Sequence, residues 1–110
     1  MTIFSKIING EIPADKVYED DTILAFRDIE PKAQVHILIV PKKPIASINE
    51  LEVDDAELVG RLFLVAKQIA QDEGIDDGYR VIMNCGEKGG QTVFHMHLHL
   101  LGGDDLPAFA

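Results

Sequence analysis

The sequence predicts a single α+β domain over residues 1–110, with an antiparallel sheet of five strands and one long and one short helix. The segments of regular structure follow one another in the order α-β-β-β-α-β-β, which is typical of this class. One helical segment is much longer than the other. The 110 residues, 46% of them hydrophobic, are enough for one core and too few for two.

The first half of the chain supplies the short helix and three strands. Thr2 can cap a helix over residues 3–9, and Gly10 ends it. Strands are predicted at residues 16–19, 22–28 and 35–40. The third is apolar and β-branched, as central strands are, and Pro41 ends it.

The second half supplies the long helix and two strands. The helix is predicted over residues 53–73, with Asp54 or Asp55 as its cap and Gly74 after its end. The remaining strands are predicted at residues 79–85 and 93–101, on either side of a turn that contains Gly86, Gly89 and Gly90.

Two apolar stripes run along the long helix at helical spacing. The first consists of Leu58, Leu62, Val65 and Ile69, and the second of Val59, Phe63, Ala66 and Ala70. One stripe is enough to pack on a sheet. The second is covered either by a deep monomer core or by a partner subunit, and a homodimer is a reasonable way for so small a chain to bury more surface.

Composition limits the classes of function. The formal net charge of −9 does not attract nucleic acid backbones or anionic lipid, so we expect neither as a partner. The longest apolar run, residues 37–40, is far too short to span a membrane, and the N-terminus does not resemble a signal peptide. The single cysteine, Cys85, rules out an internal disulfide and favours the reducing cytoplasm.

Three of the four histidines alternate with apolar residues near the C-terminus. In a strand over residues 93–101, His95, His97 and His99 share one face, and the other face consists of Met96, Leu98 and Leu100. Packing does not explain three imidazoles in strict alternation, because Val or Thr would suit a half-buried sheet better. The pattern therefore indicates a functional site.

One interpretation of the histidines is a metal site, with His36 as a further ligand from a neighbouring strand. The Cβ atoms of His95 and His99 would lie about 13 Å apart at ~3.3 Å per residue, so the three histidines cannot share one ion and a metal would use only an adjacent pair. The strand also contains no carboxylate to act as general base. We therefore expect no metal and no other cofactor.

The other interpretation is nucleotidyl transfer. Imidazole is a good nucleophile near neutral pH when its second nitrogen is held as a donor. The turn Gly89-Gly90-Gln91-Thr92 can supply backbone amides and a hydroxyl to phosphate oxygens. Because no Lys or Arg follows Lys88, histidines and amides would have to neutralise a phosphate bound here.

The segment His95-Met96-His97-Leu98-His99-Leu100-Leu101 resembles the His-φ-His-φ-His-φ-φ signature of the histidine triad superfamily, in which φ is apolar. The resemblance extends over almost the whole chain and favours the histidine triad nucleotide-binding protein branch. The matching segments are Ile3-Phe4-Ser5-Lys6-Ile7-Ile8, Glu11-Ile12-Pro13, Ala25-Phe26-Arg27-Asp28-Ile29, His36-Ile37-Leu38-Ile39-Val40-Pro41-Lys42, Gly78-Tyr79-Arg80, Gly89-Gly90-Gln91 and Leu101-Gly102-Gly103.

This resemblance implies a homodimer with one continuous sheet across both subunits. It also implies metal-independent hydrolysis of purine nucleoside phosphoramidates. His97 would attack the α-phosphorus and form a nucleotidyl-histidine, which water then releases as AMP or GMP. By the same resemblance His99 contacts the phosphate, His95 orients His97 through its backbone carbonyl, and His36 supports proton relay.

The resemblance also implies nucleotide-binding residues. Asp28 would hold the ribose hydroxyls, and Phe26 and Ile29 would sandwich the base. The phosphate and ribose positions are Asn84, Gly90, Gln91, Thr92 and Val93, beside His97 and His99. Each position also has a structural alternative, such as an ordinary core residue or a satisfied buried amide.

Two departures from the family pattern bear on rate and specificity. Thr92 stands where several members have serine, so it keeps the hydroxyl and adds a methyl group. The short tail over residues 104–110 begins with Asp104 and Asp105, which we expect to favour a cationic leaving group. The alternatives to a phosphoramidase are a nucleotide-binding homodimeric regulatory or scaffold module, a dinucleoside polyphosphate hydrolase that uses the same His97, and a zinc enzyme.

Overall fold

Five strands form one antiparallel sheet in the computed structural model, which describes residues 1–108. The elements are α1 Ile3–Ile8, β1 Lys16–Glu19, β2 Ile23–Arg27, β3 Val35–Pro41, α2 Ala56–Asp72, β4 Tyr79–Ile82 and β5 Leu98–Gly102, with 3₁₀ turns at Ile48–Glu50, Val53–Asp55 and Glu87–Gly89. The strand order is β1-β2-β3-β5-β4, and every pair is antiparallel. The predicted fold class is confirmed, and the predicted domain extends two residues beyond the described part of the chain.

The two faces of the sheet carry different layers. Side chains of β2 and β3 alternate between them because successive strand residues point to opposite sides. Ile37 and Ile39 pack with α2 in the larger core cluster, whereas Leu38 and Val40 pack with α1 in the smaller one. The short helix therefore lies on the face opposite to α2, and this face holds the candidate site.

The side-chain cap expected from the sequence is present at the start of α1 and absent at the start of α2. The Thr2 hydroxyl accepts the Ser5 N–H at 3.2 Å, as expected of an N-cap. Asp55 stands at the N-cap position of α2, one of the two expected, but its side chain accepts no N–H of that helix. Its carboxylate accepts the Glu52 N–H and the Lys43 ammonium instead, and residues 53–55 form a 3₁₀ turn before the α-helix begins.

The two stripes of α2 have different environments. The first stripe packs on the sheet through Leu62, Val65 and Ile69. The second is divided, since Ala66 and Ala70 are buried in the same core while Phe63 is 50% exposed. None of the helices in the described chain is long and apolar enough to cross a membrane.

The last strand begins later than predicted. The expected strand over residues 93–101 is wrong at its start, because β5 begins at Leu98, opposite Ile39. The next backbone pair in this register would join Pro41 to Met96. Proline has no amide hydrogen to donate, so the ladder with β3 ends there.

Other hydrogen bonds replace the missing pair. The Met96 N–H donates to the Ile45 carbonyl at 2.7 Å, and His95 Nε2 donates to the Pro41 carbonyl at 2.6 Å. His95 and His97 therefore lie ahead of the strand, with His95 in a bend over residues 93–95, and only His99 lies within it. The apolar alternation still holds, since Met96, Leu98 and Leu100 all pack in the core with α2.

Candidate active site

A cavity of about 1040 Å³ opens on the α1 face of the sheet. One wall is apolar and comes from α1, the segment after it, and the middle of the sheet. The apolar residues that line the cavity include Phe4, Ile7, Ile12, Phe26, Ile29, Leu38 and Val93. The polar residues that line the cavity include Asp28, His36, Asn84, Thr92, His97 and His99. This arrangement suits a ligand with one flat apolar part and one polar part.

Most of the residues that the sequence predicts for the site line this cavity. They are Phe26, Asp28, Ile29, His36, Asn84, Thr92, Val93, His97 and His99. Gly90, Gln91 and His95 do not line it. Gly90 has φ of +92°, a left-handed conformation that favours glycine, so its role is to turn the chain toward Thr92.

The polar atoms of the Gln91 side chain form hydrogen bonds within the protein. It is 2% exposed, and its amide nitrogen donates to the carbonyls of Ala46 and Val93 at 2.7 and 3.0 Å. Its amide oxygen accepts the Gly86 N–H at 2.9 Å. Gln91 therefore ties the glycine turn to the segment after β3 and positions the cavity residue Val93.

Asn84 forms a second hydrogen bond to the glycine turn. Its side-chain nitrogen donates to the Gly89 carbonyl at 2.8 Å, across the glycine turn. Asn84 also lines the cavity, as do Thr92 and Val93. Asn84 thus joins the turn to the cavity wall.

The ring of His97 is held in one tautomer. Its Nδ1 lies 2.8 Å from the His95 carbonyl, which can only accept, so the proton is on Nδ1. His97 is 7% exposed and lines the cavity. No buried side-chain nitrogen or oxygen in the described chain lacks a partner, so the unbonded Nε2 opens on the cavity with a free lone pair. That is the arrangement that a nucleophilic imidazole needs.

His36 and His99 form a second pair. His36 Nε2 lies 2.9 Å from His99 Nδ1, and 3.5 Å from Asp28 Oδ2. On its other side His36 Nδ1 accepts the Lys32 N–H at 3.0 Å. The rings of His97 and His99 meet at a centroid distance of 4.9 Å, so the pair adjoins His97.

Burial keeps the three cavity histidines neutral near pH 7. Desolvation is the main cause that lowers the pKa of His36, although Asp28 opposes it. Desolvation likewise lowers the pKa of His97, against the hydrogen bond to the His95 carbonyl. It lowers the pKa of His99 to about 4, with the neighbouring histidines adding to the effect.

Asp28, His36 and His99 are close enough to one another to be considered as metal ligands. Ligand atoms of Asp28, His36 and His99 lie within 4.8 Å of one another. A histidine that binds a metal normally donates its other N–H to an acceptor. His36 Nδ1 instead faces the Lys32 N–H, so a metal on Nε2 would require an imidazolate ring. This hydrogen bond opposes a metal site here.

Several cavity residues were not predicted as site residues. Phe4 lies edge to face with both Phe26 and His97, at centroid distances of 5.4 and 5.0 Å. Its spacing to Ile7 on one face of α1 was the available signal. Lys32 also lines the cavity, so a cation is present although none follows residue 88.

The acidic tail lies against a different cavity, of about 890 Å³, which Asp104 and Asp105 help to line. An oxygen of Asp104 accepts the Gln34 N–H at 2.7 Å, and Arg80 donates to the Pro107 carbonyl at 2.6 Å. Within the protomer these aspartates are absent from the lining of the cavity that holds His97. Residues 109 and 110 lie outside the described chain.

Comparisons with known proteins agree with this geometry. The HIT domain family model matches residues 9–106. Purine nucleoside phosphoramidase of Escherichia coli is 54% identical over 106 residues, which cover 96% of this chain and 89% of that protein. A HIT family hydrolase from Legionella pneumophila has a crystal structure with a TM-score of 0.95 and 52% identity, covering 97% of this chain and 96% of that one. The histidine triad nucleotide-binding protein from Candida albicans gives a TM-score of 0.84 at 33% identity, covering 100% and 85%.

Proposed function

The chain belongs to the HIT domain family, and from this premise we propose that it is a purine nucleoside phosphoramidase. It hydrolyses the P–N bond of adenosine and guanosine 5′-phosphoramidates without a metal. The observation that carries the proposal is the His97 Nδ1–H bond to the His95 carbonyl, which leaves His97 Nε2 free in a cavity of nucleotide size.

The first step transfers the nucleotidyl group to the enzyme. His97 Nε2 attacks the α-phosphorus, a new P–N bond forms to the ring, and the bond to the substrate amine breaks. The amine leaves with a proton supplied by water in the cavity. His99 donates its free N–H to a phosphate oxygen as negative charge develops there. The His95 carbonyl stabilises the positive ring of the intermediate.

The second step releases the product. Water attacks the phosphorus of the nucleotidyl-histidine, and the bond to His97 Nε2 breaks. The proton that this water loses balances the one that the amine took. His97 returns to its neutral form with Nδ1 still protonated.

The apolar wall supports a purine site. Ile29 is 91% exposed and lines the cavity together with Phe4, Ile12 and Phe26. A flat base between these residues would cover Ile29 and stack on apolar carbon. The Asp28 carboxylate accepts the Glu30 N–H at 2.8 Å through Oδ1, which leaves Oδ2 for ribose hydroxyls.

The phosphate side is assembled from short polar groups. His97 and His99 line the cavity, as do Thr92, Val93 and Asn84. We assign the Thr92 hydroxyl and the backbone amides of this segment to the phosphate oxygens. Gly90 and Gln91 contribute through the shape of the turn.

We further propose a homodimer in the cytoplasm, with no nucleic acid, membrane or cofactor as partner. The strand β4 is at an edge of the sheet, where a second copy could extend it. Phe63 on α2 is half exposed and would be covered by the same contact. The net charge of −9 and the lone Cys85 support the absence of nucleic acid and the reducing compartment.

The test is release of AMP from an adenosine phosphoramidate in the presence of EDTA. We expect turnover by the parent protein, none by His97→Ala, and unchanged turnover by Gln68→Ala, a substitution on the exposed side of α2. Tight AMP binding without turnover would instead support the nucleotide-binding module. Faster cleavage of a dinucleoside polyphosphate than of the phosphoramidate would support the alternative hydrolase.

A further inference from the structure

The loop after β2 holds one backbone amide against the imidazole pair. The Lys32 N–H donates to His36 Nδ1 at 3.0 Å. The loop has a bond of its own ahead of Lys32, since Asp28 Oδ1 accepts the Glu30 N–H at 2.8 Å, and this bond does not involve the lysine side chain. The position of the Lys32 amide is therefore set by the loop and not by His36.

This amide decides which nitrogen of His36 carries the proton. A backbone N–H can only donate, so His36 Nδ1 must be the bare acceptor and the neutral ring is protonated on Nε2. The Asp28 carboxylate, 3.5 Å from Nε2, favours the same tautomer. His36 is 5% exposed, so water cannot readily replace either partner.

The tautomer of His36 in turn determines the tautomer of His99. His36 Nε2–H donates to His99 Nδ1 at 2.9 Å, so neutral His99 is protonated on Nε2. No partner within the chain is present at His99 Nε2 among the described residues, and it opens on the cavity. In the opposite tautomer a bare lone pair of His99 would face the phosphate oxygens.

We infer that Lys32 is a positioning residue whose backbone N–H, acting through His36, fixes His99 as a hydrogen-bond donor to the substrate phosphate. This role is independent of the lysine side chain. The assignment of the phosphate as the group that receives the bond rests on the proposed function. The tautomers of His36 and His99 do not depend on it.

The first test measures the tautomers in the parent protein. Long-range ¹H–¹⁵N correlation spectra of ¹⁵N-histidine-labelled protein near pH 7 distinguish the two ring nitrogens. His36→Gln and His99→Gln supply the assignments. We expect both rings to be protonated on Nε2. Protonation of either ring on Nδ1 would overturn the inference, whether or not the protein hydrolyses a phosphoramidate.

The second test removes the amide hydrogen. Lys32→Pro lacks the N–H, whereas the matched variant Lys32→Ala keeps it and lacks only the ammonium. Lys32→Ala should retain both Nε2 tautomers, and Lys32→Pro should show a mixture at His36 and His99. We expect kcat of Lys32→Pro to lie at least about tenfold below that of Lys32→Ala, with KM changed less, because a buried ring nitrogen that loses its partner no longer favours the productive tautomer.

Equal kcat values for these two variants, with folded spectra for both, would overturn the inference. If Lys32→Pro does not fold, the tautomers of the parent and of Lys32→Ala decide it. A parent protein with the expected tautomers that releases no AMP would count against the phosphoramidase and in favour of the amide's control over His99.

Discussion

The ring of Phe4 meets the ring of His97 edge to face, with 5.0 Å between the centroids, although the two residues stand near opposite ends of the chain. Phe4 also contacts Phe26 in the same manner at 5.4 Å. A residue of the short first helix thus links Phe26 in the apolar wall of the cavity to His97. The helix α1 is for this reason part of the site as well as part of the core.

Replacement of Phe4 should affect both stability and activity. Phe4→Leu retains apolar volume but loses the ring contact, so we expect kcat/KM to fall about tenfold, since an aromatic pair contributes about 0.5–1.5 kcal/mol beyond burial. Phe4→Ala should also lower the free energy of unfolding by about 3 kcal/mol. Steady-state kinetics and urea denaturation measure the two effects. Ile8→Leu, on the same helix but outside the cavity lining, is the control; equal activity of Phe4→Leu and Ile8→Leu would contradict the role of the ring.

The pH dependence of kcat/KM should reflect the lowered pKa of His97. The attacking nitrogen must be unprotonated, and desolvation lowers the pKa of this ring below its ordinary 6.5. Activity should therefore persist as the pH falls through 6.5 and be lost only at lower pH. Initial rates between pH 4.5 and 8.5 would measure the acid limb, with His97→Ala as the control for acid hydrolysis of the substrate. An acid limb centred above pH 6.5 would contradict this expectation.

Stability should also depend on His99 in the acid range. Its pKa is about 4 in the folded protein and about 6.5 when unfolded, so the unfolded chain binds the proton first as the pH falls. The free energy of unfolding should therefore decrease between pH 6.5 and 4, by about 2 kcal/mol after allowance for partial exposure. Urea denaturation at several pH values measures this decrease. His99→Asn should show a shallower decrease, and parallel curves for the two proteins would refute the assignment to His99.

A substitution at Gln91 can show whether its side chain has a structural role or contacts the nucleotide directly. Gln91→Glu loses both N–H donors to the carbonyls of Ala46 and Val93, so we expect the free energy of unfolding to fall by about 2–4 kcal/mol. KM should rise because the turn before Thr92 is loosened. Denaturation and kinetics would be compared with Glu87→Gln on the same turn. Weaker nucleotide binding at unchanged stability would show instead that the Gln91 side chain contacts the ligand.

The proposed homodimer can be tested at the exposed part of α2. Phe63→Glu places a charge on a side chain that is half exposed in the protomer, so it should weaken association without unfolding the chain. Light scattering coupled to size-exclusion chromatography should give the mass of a dimer for the parent and a smaller mass for Phe63→Glu. Gln68→Glu, on another side of the helix, should remain dimeric. A monomeric parent at micromolar concentration would contradict the proposal.

Local pattern was sufficient to predict much of the fold and to select the histidines of the candidate site. The β-branched run before Pro41, the apolar stripe through Leu62 and Ile69, and the alternation of Met96, Leu98 and Leu100 determine the strands, the long helix and the face on which each packs. These signals are local because strand and helix periods act over a few residues. Three alternating histidines likewise indicate their chemistry without knowledge of the fold.

Only the tertiary structure could determine those features that depend on a residue far away in the sequence. The start of β5 depends on Pro41, a proline of another strand that cannot continue the ladder. The burial of Gln91 depends on the Ala46 carbonyl, and the place of Phe4 in the site depends on its contact with His97. The tautomer of His99 depends on the Lys32 amide through His36, because a backbone hydrogen bond is specified by position and not by residue type. The sequence by itself therefore determined which residues could react, and only the packed chain decided which nitrogen of each ring faces the substrate.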